Sequence, residues 1–337
     1  MKKLNVLMCG GRRISDAVLS IHRGFQKLGH DVVHVATRKA GTKYEPADDL
    51  HETLSGIVRD WKPDLLIWVM CKYDCPPGLI SELRRLRPEM ATVFHSFDDP
   101  VQIDLTGAPW AMEFSHAVTC CIASVPWYEQ HGLQAICLYP PSDAEIHGNA
   151  AAVTQEECEL SLAATNVYPR ALFPRVLAER TELARLADRL GHLHLYGPWE
   201  GSRVTWGGQF GAPDLKHAFK GRRNWDQMPG IYKSAKINLN SHNRPDAYGY
   251  LNERTIHVLS TGSFMLTDAV AGIETLFDVG RHLDTWSSLE EAEDKMLFWL
   301  RHDTARQKVA QEAKAFTLDQ YSNTAHNQKL IDFLRLS

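Results

Sequence analysis

The sequence predicts a two-domain α/β protein built on parallel sheets, and three observations carry that prediction. Short, continuously apolar runs alternate with amphipathic helical segments, the pattern of strands covered on both faces. The alternation runs from residue 4 to residue 138, lapses over the Pro-, Ser-, Asp- and Gly-bearing stretch 140–154, and then restarts. At 337 residues the chain is long for one core and comfortable for two.

In the first half, residues 4–8 read as a strand and 14–28 as a helix, with Ile14, Val18, Ile21, Phe25 and Leu28 at helical spacing. Gly29 and His30 turn the chain into a strand over 31–36. A helix over 47–61 precedes the fully apolar strand 64–70. A helix over 78–86, strands over 91–97 and 117–123, a short helix near 127–131 and a strand over 135–138 follow. The second half repeats the pattern: strand 160–165, helix 174–190, strand 192–195, helix 227–234, strand 236–239, helix 252–260, strand 263–267 and a helix near 273–277. The tail is helical over 289–301, 304–316 and on to 334. These readings assign residues 1–145 to one Rossmann-like domain, 155–315 to a second, and 316–337 to a C-terminal helix returning to the first.

Composition limits the classes of function. With 44% hydrophobic and 23% charged residues the chain has a soluble globular profile. The longest apolar run, around 65–70, suits a buried strand and is too short for a membrane span. The lysine-led N-terminus carries an apolar stretch too short for a signal peptide. Seven cysteines, mostly inside strand-like runs and without paired CxxC half-sites, are expected as free thiols in a reducing cytoplasm. A formal charge of −4 argues against a protein wrapped in nucleic acid and leaves room for a local basic cleft.

Open parallel sheets bind ligands beyond the carboxyl ends of their strands. The candidates are therefore Gly10, Gly11, Arg12 and Arg13; residues 71–74; His95, Asp98 and Asp99; Tyr196 and Gly197; residues 240–242; and Asp268. The first loop is not GxGxxG, which weakens a dehydrogenase reading. Its glycines let the backbone approach a ligand and its arginines can face an anion, or the loop is simply a tight turn with solvated arginines. Asp98 and Asp99 precede Pro100, and two adjacent carboxylates at a strand end cannot both point into a core. One of them can accept a proton from a hydroxyl, with His95 beside it, or cap the turn.

The segment 252–260 reads as a helix with Asn252 near its N-cap and Gly262 closing it. Its first turn offers N–H groups and a positive dipole to a phosphate, and Arg254 adds a charge that can grip a diphosphate in two places. Glu253 and His257 lie one turn apart. His192 and His194 share one face of a strand but lack a third ligand, so a metal centre is not expected. No GxSxG elbow follows a strand.

At this point the second half resembles a known family. The runs IYKSAKINLNSH and NERTIHVLSTGSFMLTD, followed by GIETLFDVGRHL and SLEEAEDKMLFWL, resemble the C-terminal domain of CgeB-like glycosyltransferases, of the GT-B class related to group 1 transferases. The resemblance covers residues 190–335 well and the first half loosely. It implies two Rossmann-like domains facing across a cleft, with C-terminal helices packing back. It also implies a nucleotide sugar (UDP-glucose being the favoured example) held mainly by the second domain, an acceptor held mainly by the first, and no essential metal or cofactor. Lys220, before the segment 226–229, and Arg254 match basic donor contacts, and Gly262 matches the glycine after the motif helix. His257 stands where related enzymes carry a ribose-binding glutamate, with Glu253 the nearest carboxylate. The implied donor contacts are thus Gly10, Gly11, Arg12, Tyr196, Gly197, Lys220, Asn240, Glu253, Arg254, His257, Gly262 and Asp268.

The acceptor is left open: a glycan, a small molecule, a protein side chain or a modified DNA base. A DNA-modifying enzyme acting on a hydroxymethylated base would use Arg12 and Arg13, Arg84 and Arg85, and Arg222 and Arg223, with Trp206 and Trp225 nearby. A non-catalytic nucleotide-sugar or glycan-binding module is the reading from a different class, with His257 marking lost catalysis.

Overall fold

The computed structural model describes residues 2–11, 16–42, 45–70, 74–101, 103, 108–165, 174–200, 205–208 and 211–336. The chain divides into two compact units, residues 1–141 with 320–337, and residues 142–319.

The first unit contains β1 (Asn5–Cys9), α1 (Asp16–Lys27), β2 (Asp31–Val35), α2 (Leu50–Asp60), β3 (Leu65–Val69), α3 (Leu79–Leu86), β4 (Ala91–His95), α4 (Ala108–Ala111), β5 (His116–Thr119), α5 (Val125–Gln130) and β6 (Gln134–Cys137). Its six strands are all parallel, in the order β2-β1-β3-β4-β5-β6. Alternate residues of each strand enter opposite cores. Leu66 and Trp68 join Leu7, Cys9 and Phe94 on one face, while Leu65, Ile67 and Val69 join Val6, Met8 and Val93 on the other. A strand buried on both faces must be apolar throughout, which is why β3 reads as an unbroken apolar run.

The second unit contains β7 (Cys158–Ala163), α6 (Pro174–Leu190), β8 (Leu193–Tyr196), β9 (Phe219–Gly221), α7 (Met228–Ser234), β10 (Ala235–Asn240), α8 (Glu253–Ser260), β11 (Met265–Asp268), β12 (Asp284–Trp286), α9 (Leu289–Arg301) and α10 (Asp303–Gln320). Its parallel order is β12-β11-β10-β7-β8-β9. The direction of winding reverses between β7 and β10, and the crevice such a reversal opens at the strands' carboxyl ends is where doubly wound sheets take ligands. In the first unit the equivalent reversal lies between β1 and β3.

The last helix, α11 (Asn323–Phe333), belongs to the first unit. Leu330, Ile331 and Leu334 fill the same core as Leu4, Ile21 and Phe25, and Asn327 Nδ2 donates to the Ile21 carbonyl at 2.7 Å. The stretch 140–154 is more ordered than its composition suggests. It carries a π-helical turn over Ala144–Gly148, whose N-cap Asp143 accepts from the Glu145 amide.

Among the described residues six cysteines are free thiols, and no helix is long and apolar enough to cross a membrane.

Candidate functional site

The second unit's switch point is held by an arginine that the sequence reading missed. Arg180, on α6 and only 1% exposed, donates to the Thr165 carbonyl beyond β7 at 2.8 Å and to the Ser241 carbonyl beyond β10 at 3.0 Å. It also reaches Asn243 Oδ1 at 3.0 Å. Two strand ends that diverge at the reversal are thereby tied to one charge, and their carbonyls keep strong charge-assisted partners. Its only signal in the sequence was a single arginine on a helix face otherwise carrying Leu183, Ala184 and Ala187.

Asn240 ends β10 and organises the start of α8. Its amide nitrogen lies within 3.3 Å of Asn252 Oδ1, Thr255 Oγ1 and Thr267 Oγ1. Its oxygen accepts from Asn252 Nδ2 at 3.1 Å and from Arg254 Nε at 3.2 Å. Asn252 in turn caps the helix, its Oδ1 accepting from the Thr255 amide at 3.2 Å. One exposed donor of the first turn is thus satisfied, and the dipole's positive end remains. Arg254 is fixed through Nε alone. Among the described residues its terminal nitrogens make no hydrogen bond, so the forked face of the half-buried guanidinium is unspent.

Behind this turn lies a buried acid and imidazole. Asp268, at the end of β11, accepts from the His242 amide at 2.8 Å and from His242 Nδ1 at 2.6 Å, and Thr267 Oγ1 adds a further bond at 3.0 Å. The other imidazole nitrogen, Nε2, lies 3.2 Å from Thr255 Oγ1. Burial pushes the Asp268 carboxyl up, but His242 and these hydrogen bonds outweigh it and hold the group below the usual carboxylate range. The pair ties the strand ends to the turn carrying Asn252 and Arg254. Asp268 therefore orients the site and does not present an open carboxylate to a ligand.

His257, one turn further along α8, stacks on His147 with ring centroids 4.3 Å apart and planes 29° apart. His147 belongs to the π-helical turn, and its neighbour Ile146 lines a cavity of about 320 Å³ within this unit. Val153, Pro229 and Ile231 give that cavity apolar walls, while Glu156, Arg223, Asp226 and Gln227 give it polar ones. Glu253, half-buried, opens the first turn of α8.

Several expected contacts are placed differently. Tyr196 is 2% exposed and its hydroxyl donates to Glu156 Oε2 at 2.7 Å, an acid that also accepts from Arg223 at 2.7 Å. Burial, with that bond to Glu156, raises the phenol well above its ordinary value, so Tyr196 is turned inward and not toward a ligand. Gly197 donates to the Gly221 carbonyl at 3.3 Å, beside it. Lys220 lies in the edge strand β9, where its charge bears on His194; burial first, then Lys220, lowers that imidazole to about 4. Gly262 follows the carboxyl end of α8, where its carbonyl accepts from Lys233 at 3.1 Å. It lies past the end of the helix opposite the turn that Asn252 caps.

In the first unit, Gly10 and Gly11 lie at the switch point after β1. Gly10 is required there by close approach: with φ +146, a Cβ would sit 2.7 Å from the Val69 carbonyl oxygen. The Gly11 carbonyl accepts from the Thr37 amide at 2.8 Å. Arg12 and residues 71–73 lie outside the described residues. His95 is fully buried, with Nε2 3.3 Å from His326 Nε2, and burial followed by the neighbouring imidazole holds it well below the ordinary histidine value. Asp99, 1% exposed, accepts from Ser96 Oγ at 2.9 Å and Tyr128 OH at 2.8 Å. Burial raises its carboxyl against those bonds. His95 and Asp99 are thus interior groups, which corrects their expected access to an acceptor, whereas Asp98 is half-buried at the surface.

Residues 173–332 match the model of a family described as glycosyl transferase-like. Structurally the chain is similar over 98% of its length to HepE from Anabaena, crystallised with UDP and glucose (TM-score 0.62, 11% identity, 99% of that chain). It is likewise similar over 99% of its length to a sucrose-phosphate synthase from Thermosynechococcus elongatus (TM-score 0.65, 10% identity, 99% of that chain). The fold is GT-B. The chain is also similar over 98% of its length to the DNA-modifying enzyme β-glucosyltransferase (TM-score 0.62, 9% identity, 100% of that chain). No curated protein matches the sequence. The matched residues include all of α8 and the Asn240, Arg254 and Asp268 network.

Proposed function

We propose that the chain is a glycosyltransferase that moves a hexose from a nucleoside diphosphate sugar, with UDP-glucose as the favoured donor, to an acceptor hydroxyl. The observation that carries this reading is Arg254, fixed by Asn240 through Nε with its forked face unspent, at the capped N-terminus of α8.

In the reaction a bond forms between the acceptor oxygen and the anomeric carbon while the bond from that carbon to the diphosphate breaks. Negative charge then grows on the departing diphosphate. The α8 amides and Arg254 are positioned to stabilise that charge and are already oriented before reaction, the arrangement that makes electrostatic catalysis effective. Positive charge from these groups suits a metal-independent route. The ribose is assigned to His257, whose imidazole offers a hydrogen bond in place of a carboxylate. The base is assigned to the 320 Å³ cavity beside Ile146. In an inverting reaction the acceptor's proton passes to Asp98.

A thermal-shift comparison of UDP, GDP, ADP and UDP-glucose tests the donor class. UDP and UDP-glucose are expected to raise the unfolding temperature by mass action, and slow UDP release from UDP-glucose in water is expected alongside. A chain stabilised by none of them, or by ADP alone, contradicts the reading. UDP-glucose binding without UDP release under any acceptor points to a binding module.

A further inference from the structure

The loop between β10 and α8 carries an aromatic side chain that the diphosphate site leaves unused. Tyr248 is 46% exposed, one of few large apolar side chains in that state among the described residues. The loop beneath it is tightly bonded. The Gly249 amide donates to the Ala271 carbonyl and the Ala271 amide to the Pro245 carbonyl, both at 2.8 Å, while turns close from Ala247 to Arg244 and from Tyr250 to Ala247. The ring rests on Gly272, in the loop after β11. A Cβ at that residue would lie 2.5 Å from Tyr248 Cε2 and 2.8 Å from Cδ2 and Cζ, and its φ of +81 already favours glycine. The backbone at Gly272 thus makes room for the ring, and the ring is held in place while much of it stays in water.

Two further features point to a carbohydrate partner. Tyr248 lies four residues before Asn252, the cap of the turn that carries Arg254, on the loops at the carboxyl ends of β10 and β11. Earlier in the same loop, Arg244 and Asp246 form a surface ion pair, with Nε and a terminal nitrogen each 2.9 Å from a carboxylate oxygen. This adjacent donor and acceptor pair suits vicinal hydroxyls. An aromatic face carries partial negative charge and attracts the C–H face of a pyranose ring.

We propose that Tyr248 is the platform for the sugar ring of the donor and sets the preference of the site for a nucleotide sugar over the bare nucleotide; this rests on the donor site proposed above. Tyr248 belongs to the specificity machinery and takes no part in proton transfer.

Isothermal titration of the full chain with UDP and with UDP-glucose tests it, using the native protein, Tyr248→Ala and Tyr248→Phe. The native chain is expected to prefer UDP-glucose over UDP. Tyr248→Ala should weaken UDP-glucose about tenfold and leave UDP within twofold, while Tyr248→Phe keeps the preference. An unchanged preference in Tyr248→Ala, an equal loss of both ligands, or equal native affinities overturns the platform with the donor site intact. A native chain that binds neither ligand removes the donor site and the platform together.

Discussion

Asp99 and Asp268 both sit at the carboxyl ends of parallel strands, both are nearly buried, and both accept hydrogen bonds from their own unit, yet the two carboxyls are driven in opposite directions. Around Asp99 the partners are the hydroxyls of Ser96 and Tyr128, and burial wins, raising the group. Around Asp268 the partners include an imidazole and a backbone amide, and these outweigh burial. A strand-end carboxylate supported by hydroxyls alone drifts toward its neutral form. One facing an imidazole stays charged and can fix the orientation of what lies next to it, here the turn carrying Asn252 and Arg254.

Substituting the two acids sharpens this contrast. Asp268→Asn should cost about 3 kcal/mol, because it removes a buried carboxylate that accepts from the His242 amide, the His242 ring and Thr267; Asp99→Asn should cost about 1 kcal/mol, since an amide still accepts one hydroxyl. Chemical denaturation of both variants reads the difference, and equal losses would break the comparison. The next effect is one of pH in the first unit. Burial lowers both His95 and His326, the latter to about 4, so the folded chain keeps them neutral where the unfolded chain takes protons. Stability is then intact above about pH 6.5 and falls as pH drops from there toward 4, by about 3 kcal/mol for His326 alone. His326→Gln should flatten that slope in urea midpoints measured between pH 7.5 and 5; an unaltered slope would assign it elsewhere. The smallest effect is expected at the cap: Asn252→Ala should destabilise by about 1 kcal/mol, with a larger relative loss in UDP affinity, because Asn252 also shares Asn240 with Arg254.

Much of the architecture was legible in the sequence because burial on both faces makes strands such as β3 continuously apolar. The edge strands β9 and β12 were missed: each is three residues long, too short to show a period. The helix from 252 to 260 was legible through its cap, and the structure begins α8 at Glu253 with Asn252 as cap. Arg254 and Asn240 follow from that helix and from the end of β10. His242 was visible only as one of several polar residues after a strand, because its pairing with Asp268 joins positions 26 apart through two neighbouring strands. Arg180 was illegible for a similar reason, since its partners lie on loops brought together only by the strand order. The inward turn of Tyr196 depends on Glu156, forty residues earlier. Local pattern finds strand ends, whereas tertiary packing decides which of their side chains face a ligand.

The claim that α8 and Arg254 hold a diphosphate is tested most directly by titrating UDP into the native chain and into Arg254→Ala. Arg254 is half-buried and bonded only to Asn240 among the described residues, so the variant is expected to fold with a nearly unchanged unfolding temperature. UDP affinity should fall by at least tenfold, the loss of roughly one charge-assisted contact. Uridine, which lacks the diphosphate, should bind both proteins alike. Equal UDP affinity in the two proteins would contradict the account.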